Sequence, residues 1–293
     1  MSRTSTSKAK SRVLEKVQIY RPENPGGPSL RDVSSFLADF FPTVEFRIAR
    51  TQLRTVKRSD RERLASSIAA ARVKDPGRRD QSFAPMFGEI EYELRLIDGD
   101  AKAAGVVYDG RKLGGIHQSL LDKGSLSTCH IVLTDRLVST FSEDDLRHHL
   151  RTVVSGFPSI ISVPGIVEAP ARPRAYCVHR QTLEMMGASQ LELERLKKKF
   201  EGRFVDYGDE AIAEVIKGLT LQALMFHLTL QPFCGDRSCR LYNAHWQEEL
   251  IESQIARGGL CEKHSGQLLA LGRNPRIAWL VDPGDTAQVL LEK

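Results

Sequence analysis

Residues 221–239 read LQALMFHLTLQPFCGDRSC, and residues 261–264 read CEKH. Four side chains in these two segments are of the kind that zinc prefers: Cys234, Cys239, Cys261 and His264. Structural zinc sites are usually built from two short ligand pairs of this sort, so the spacing predicts one structural zinc ion within residues 232–268. The alternative interpretation is a set of free buried thiols beside a surface histidine.

The residues just before these cysteines form the strongest helix pattern of the chain. Between residues 207 and 230, side chains recur at spacings of three and four, as on one face of a helix: Ile212, Ile216, Leu219, Ala223, His227 and Leu230. Pro232 lacks the backbone N–H that a helix needs, so the helix ends before it. We therefore expect a core helix that leads directly into the zinc segment.

The N-terminal part of the chain alternates between strand and helix patterns. Residues 13–20 and 44–49 have strand-like apolar patterns, and residues 29–40 between them have helical periodicity. Residues 129–134 form another apolar strand pattern. Because a strand–helix–strand unit favours parallel pairing, we predict an α/β (α+β) fold: a mixed sheet packed with helices in one domain.

Two further segments have less regular patterns. Residues 106–116 contain Asp109-Gly110 and two more glycines, which predicts a hairpin or a strand and turn. Residues 180–200 are predicted to form one long amphipathic helix with a basic C-terminal end. Cys177 lies in apolar surroundings and is predicted to be a small core residue.

The charge of the chain is concentrated at its start. The net charge is +5, but residues 1–16 carry five basic side chains and one acidic side chain, which leaves 37 basic and 36 acidic side chains elsewhere. Residues 1–12 have almost no apolar surface to bury, so we expect a disordered basic tail. Nucleic-acid binding is expected to be limited to weak contacts between this tail and phosphates.

The composition also indicates the cellular compartment of the protein. There are five cysteines, and the polar N-terminal segment lacks the apolar core of a signal peptide. No stretch approaches the roughly 20 apolar residues that cross a bilayer. We therefore expect a cytoplasmic protein with reduced cysteines and no membrane partner.

At the cysteine segments the sequence resembles the archaemetzincins, zinc metallopeptidase-like proteins of the metzincin clan. That family carries a helix with the motif HExxHxxGxxH, then Cys-x4-Cys, and further along a Cys-x2-Cys pair. The three cysteines match the structural zinc ligands, and His264 stands where a fourth cysteine is expected. Residues 130–137 (HIVLTDRL) look like the strand before the active site. The resemblance implies a metzincin-like domain over residues 13–293 with a C-terminal zinc-bound subdomain.

The catalytic motif itself has been lost. Counting back from the first zinc cysteine, the three catalytic ligand positions hold Ala223, His227 and Phe233, and Leu224 replaces the general base. A metzincin uses that glutamate to deprotonate a zinc-bound water, which leucine cannot do. The sequence therefore predicts that the conventional peptidase site is absent.

A different site could have replaced the lost one. His227 would point from the core helix toward the former catalytic centre, and His245 follows the second zinc cysteine near the floor of the family's pocket. Glu248 and Glu249 lie just beyond it. These four side chains are the candidate catalytic residues of a rebuilt site. The simpler interpretation of His227 is a core histidine on an apolar face, and His245 can equally be a surface residue or lie at a helix N-terminus.

Alternation along a strand predicts a second set of polar side chains on one face. In an extended segment Arg147, His149 and Arg151 share one face, and together with Glu168 they could line a polar pocket. Simple solvent exposure of that face is the alternative.

These observations lead to two functional hypotheses. The first is a zinc-stabilised pseudoenzyme that acts as a binding or scaffold module for a peptide or protein partner, held by strand addition to a sheet edge. The second is a metal-dependent hydrolase or peptidase whose site is rebuilt around His227, His245 and Glu248 or Glu249. We expect one structural zinc ion; only the second hypothesis requires another ion.

Overall fold

The computed structural model describes residues 13–24, 28–101, 103, 105–121 and 126–280. The strands in these residues are β1 (Lys16–Tyr20), β2 (Glu45–Ala49), β3 (Val107–Asp109), β4 (Thr128–Thr134), β5 (Leu137–Ser142), β6 (Arg147–Arg151), β7 (Val153–Val154) and β8 (Ser159–Ser162). The α-helices are α1 (Arg31–Phe40), α2 (Arg58–Ala69), α3 (Phe87–Asp98), α4 (Gly110–Ser119), α5 (Val163–Glu168), α6 (Arg174–Met185), α7 (Gln190–Lys199), α8 (Ala211–Thr229), α9 (Gln247–Ile251) and α10 (Glu262–Arg273). A 3₁₀ turn covers Gln52–Thr55, and a π-helical turn over Glu252–Ala256 extends α9.

The described strands form two mixed sheets. The larger has the order β2-β1-β4-β8-β7, in which β7 alone runs antiparallel to its neighbour. The smaller has the order β3-β5-β6, with β3 parallel and β6 antiparallel to β5. The predicted mixed α/β fold is therefore confirmed, including parallel pairing of the first two strands across a helical connection.

The larger sheet lies between two layers of apolar side chains. Successive residues of a strand point to opposite faces. Ile131 and Leu133 of β4 therefore pack with α1 and α8, whereas Val132 packs with α2, α4 and the smaller sheet. The three cysteines of the predicted metal site and α8 all belong to the first of these layers.

Helix α8 is the centre of that layer and is buried on nearly every side. By length and composition it could cross a membrane, but most of its apolar window is inside the protein. A helix that is apolar all round is typical of a position deep in a protein core. The single apolar face predicted from the sequence was therefore too narrow.

The predicted hairpin over residues 106–116 is wrong. Only β3 is extended, and α4 begins directly after Asp109, whose side chain accepts hydrogen bonds from the backbone N–H groups of Arg111 and Lys112. The Asp-Gly pair here caps a helix instead of forming a tight turn, because aspartate serves either role.

The predicted single helix over residues 180–200 is also wrong. Gly187 adopts a left-handed backbone (φ +74°) that ends α6, and Ser189 with Glu192 forms a capping box that starts α7. The two helices form a hairpin around a small satellite cluster of Tyr176, Leu196, Phe200 and Phe204. Cys177 is exposed on this hairpin, so its prediction as a core residue is wrong.

The ends of the described domain meet. Val13 forms an antiparallel bridge with Arg276, and the backbone N–H of Leu14 donates to Pro275 O over 2.8 Å. The predicted disordered tail, residues 1–12, lies outside the described residues.

Candidate metal centre and adjacent cavity

The first ligand pair lies on a tight loop after α8. The backbone N–H of Cys234 donates to Leu241 O over 2.9 Å, and that of Tyr242 donates to Cys239 O over 2.8 Å. Within the loop, the N–H of Asp236 donates to the Cys234 sulfur over 3.3 Å. An N–H directed at a sulfur stabilises the thiolate form that binds metals. The loop thus presents both cysteine sulfurs on one side.

The second pair lies at the start of α10. Cys261 immediately precedes the helix, and His264 lies in its first turn. Side chains three residues apart share a helix face, so both point toward the loop. Gly272 near the other end of α10 packs so closely on α1 that a Cβ there would come within 2.1 Å of Phe40 O. Helix α10 is therefore an integral part of the core.

The four donor atoms converge. They all lie within 4.8 Å of one another, and no other group of described histidine, cysteine and acidic side chains converges in this way. The Cys234 and Cys261 sulfurs are 3.8 Å apart, and the Cys239 sulfur is 3.8 Å from His264 Nδ1. Zinc bonds of about 2.0–2.3 Å in a tetrahedron require ligand separations of about 3.6–3.8 Å. The Cys261 sulfur and His264 Nδ1 lie closer together, 3.1 Å apart.

The chemistry of the donors also fits a soft cation. All described cysteines are free thiols, and 3.8 Å between sulfurs is far longer than a disulfide bond. Burial raises the pKa of the Cys239 thiol to about 12 and lowers the pKa of His264, which keeps its ring neutral and able to coordinate. Metal binding to such a thiol releases its proton, so affinity depends on pH.

The positions of the lost catalytic motif lie on α8 and just after it. Ala223 and Leu224 are fully buried in the core. His227 Nε2 lies 2.7 Å from Leu126 O, and the ring packs edge-on against Phe157. Burial lowers the pKa of His227, as expected for a neutral ring that donates to a carbonyl. The one histidine that remains is therefore engaged as a core residue.

The turn after α8 has kept an unusual backbone. Leu230 occupies the position of the motif's glycine and adopts a left-handed conformation (φ 59°, ψ 10°) while its N–H bonds to Phe226 O. That conformation is favourable for glycine and costs a branched side chain free energy.

The other candidates of the rebuilt site have their carboxylates engaged in hydrogen bonds and ion pairs. Glu249 Oε2 accepts from the backbone N–H of His245 over 2.9 Å, and its other oxygen pairs with Arg237 over 2.6 Å. Glu248 pairs with Arg203 over 2.9 Å. His227, His245, Glu248 and Glu249 do not form a converging ligand group in the described residues.

A cavity of about 880 Å³ lies beside the third lost ligand position. Its lining includes Phe233, His245 and residues 147–155, which contain β6 and β7. Its size is within the range of small-molecule and peptide sites. Arg147, His149 and Arg151 all belong to its lining, but so do His148 and Leu150 between them, whereas Glu168 does not. The lining therefore does not single out one face of β6.

A buried ionic network at the carboxyl ends of β1 and β4 was not predicted from the sequence. Arg136 pairs with Glu23 and, over 3.1 Å, with Glu93. Glu93 also pairs with Arg72 over 2.6 Å and accepts from the Tyr108 hydroxyl over 2.7 Å. Local patterns contain no signal for it, since its members come from distant segments.

Two solved structures are similar to the chain. One is archaemetzincin from Methanopyrus kandleri, with 11% identity over 87% of this chain and 94% of that chain and a TM-score of 0.45. The other is a zinc-dependent peptidase from Methanocorpusculum labreanum (strain Z), with 13% identity over 86% of this chain and 99% of that chain and a TM-score of 0.42. No curated protein matches. A family described as "Probable metallopeptidase family (DUF6775)" matches residues 13–270, most of the chain, and the protein therefore belongs to that family.

Proposed function

We propose that this member of the family is a zinc-stabilised binding module that holds a peptide or protein segment without cleaving it. The observation that carries the proposal is the state of the motif positions: Ala223 and Leu224 are buried in the core, and His227 is bonded to a backbone carbonyl. Zinc peptidases need three protein ligands and a carboxylate beside the metal-bound water. This helix offers neither.

In this proposal the zinc ion has a structural role. Cys234, Cys239, Cys261 and His264 would hold it, and four protein ligands leave no position for water. The ion would link the loop after α8 to the first turn of α10. Because a site assembled from two segments exists only in the folded chain, zinc binding contributes to folding stability.

The cavity supports the binding role. It lies next to Phe233, where the family motif places a catalytic ligand, and Phe233 is 40% exposed toward solvent. Chain segments 147–155 and 243–245 both contribute to its lining. A concave surface with apolar and polar groups is typical of a ligand site.

The test compares binding with turnover. Zinc-loaded protein is incubated with a peptide library, and cleavage is followed by mass spectrometry with and without chelator while binding is measured by fluorescence anisotropy. We expect binding without cleavage, and one zinc ion per chain by elemental analysis. His227→Gln, which retains a polar side chain, is expected to leave the binding unchanged.

Chelator-sensitive cleavage that His227→Gln abolishes, together with a second ion per chain, would replace this proposal by the hydrolase with a rebuilt site. Folded, zinc-loaded protein that binds no peptide would also overturn it.

A further inference from the structure

The cavity beside Phe233 is strongly cationic. Its lining includes Arg111, Arg147 and Arg151 as well as His149 and His245, and no described residue that lines it is an aspartate or a glutamate. Clefts lined by charge of one sign raise the local concentration of ligands of the opposite sign. The cavity therefore favours an anionic ligand.

The three arginines lack direct ion-pair partners among the described acids. In the described part of the chain, none of the three forms an ion pair; Arg151 only donates from Nε to Thr140 Oγ1 over 2.8 Å. Asp145 acts electrostatically on Arg147 and Arg151, but both of its oxygens are within 2.8 Å of His149 Nε2.

Arg151 carries the strongest demand for a counter-charge. It is partly buried, and burial lowers its pKa. A guanidinium removed from water without an ion-pair partner is costly, and an acidic group of a ligand would offset that cost.

The arrangement of the charges suits an extended chain better than a single phosphate. Arg147 and Arg151 are four residues apart on β6, which is about 13 Å at about 3.3 Å per residue. The nearby N-terminus of α4 has its Arg111 and Lys112 N–H groups occupied by the Asp109 side chain, so it offers no phosphate cradle there. The separated guanidiniums can each meet one carboxylate along a peptide.

We propose that this cavity binds an acidic peptide segment of a partner protein, with carboxylates directed to Arg111, Arg147 and Arg151. The apolar contribution comes from Phe233 and Pro170. This inference rests on the proposed binding function and specifies the class of its ligand.

The experiment uses the full zinc-loaded chain and three fluorescein-labelled nonapeptides of identical length. One alternates Glu with Ala and Leu; the others have Gln or Lys in place of Glu. We expect the Glu peptide to bind at least about tenfold more tightly than the Gln peptide at low salt, with the difference shrinking as salt rises. Arg111→Gln and Arg147→Gln are each expected to weaken the binding of the Glu peptide about two- to fivefold. Arg31→Gln, an equal change of charge on α1, is the control and is expected to have no effect.

Each other outcome is decisive. If the Glu and Gln peptides bind with equal affinity, and neither arginine variant changes that affinity, the acidic preference is overturned. The proposed binding function then stays intact. Binding of none of the peptides overturns the binding function itself. Stronger binding of an oligothymidylate than of the Glu peptide, or displacement of that peptide by inorganic phosphate at equal charge, overturns the choice of a peptide ligand.

Discussion

The ionic network and the cysteine–histidine cluster are two polar groupings built into the same domain, and they balance their charges differently. In the network, Arg136 meets two buried glutamates, and Arg72 and Tyr108 complete the contacts of Glu93. In the cluster, three thiols and an imidazole face one another with no basic side chain among them. The first contains its own counter-charges, whereas the second requires a cation once the thiols ionise.

This difference separates two kinds of stability. Buried charges that are paired within the chain have their counter-charges whatever the supply of metal, and removing one partner is costly under all conditions. A ligand set without a counter-charge stabilises the chain only in proportion to the free ion available. We therefore expect the region around α10 to respond to chelation and the region around Arg136 not to respond.

The largest expected effect is at the metal cluster. Cys239→Ser removes a buried ligand and should reduce both the zinc content and the free energy of unfolding, the latter by about 4 kcal/mol or more. Elemental analysis and urea denaturation measure the two quantities. Cys177→Ser, at an exposed cysteine outside the cluster, should change neither. Full zinc retention with an unchanged unfolding curve would rule the site out.

The second-largest effect is expected when the buried ionic network is broken. Arg136→Met leaves Glu23 and Glu93 buried with less compensation and should lower the free energy of unfolding by about 3–5 kcal/mol. The loss should be the same with and without chelator in urea titrations. Arg203→Met, which breaks an exposed pair with Glu248, should cost less than about 1 kcal/mol. A chelator-dependent loss at Arg136 would contradict the separation of the two regions.

Replacing Asp135 is expected to have a smaller effect, and this change should raise the free energy of unfolding. Burial, followed by the neighbouring Glu23, raises the pKa of Asp135 to about 6. The folded state therefore holds this proton more tightly than the unfolded state, and stability decreases as pH rises between about 4 and 6. Asp135→Asn should raise the free energy of unfolding at pH 7 by about 1–2 kcal/mol and flatten that part of the pH profile.

Denaturation across a pH series tests this effect. Asp100→Asn, at an exposed carboxylate, is the matched control and should leave the profile unchanged. A profile for Asp135→Asn that still declines between about pH 4 and 6 would assign the titration to another group.

The smallest effect concerns the backbone next to the metal cluster. Leu230→Gly should stabilise the protein by about 1 kcal/mol, because glycine adopts the left-handed conformation without strain. Zinc content should stay the same. Leu269→Gly, at an exposed position inside α10, should destabilise by about 1 kcal/mol in the same thermal melts. If both variants destabilise the protein, the substitution at Leu230 does not relieve backbone strain.

Local sequence patterns predicted a feature correctly where the physical cause of that feature is local. The pairing of β1 with β2 follows from short apolar runs around one helix, and two short spacings were enough to identify the four side chains that converge. The same local reasoning failed at Asp109-Gly110 and Gly187. Aspartate caps helices as well as turns, and one glycine can end a helix that periodicity would continue.

Tertiary structure alone decided the features built from distant residues. Glu23, Glu93 and Arg136 become one buried network only because β1 and β4 pair and α3 packs beside them, and none of the three has a local pattern that announces this. The cavity likewise joins Arg111, β6 and Phe233 from three parts of the chain. Spacing along the chain determines which side chains share a face, but burial and the pairing of charges depend on which faces meet, and only folding determines that.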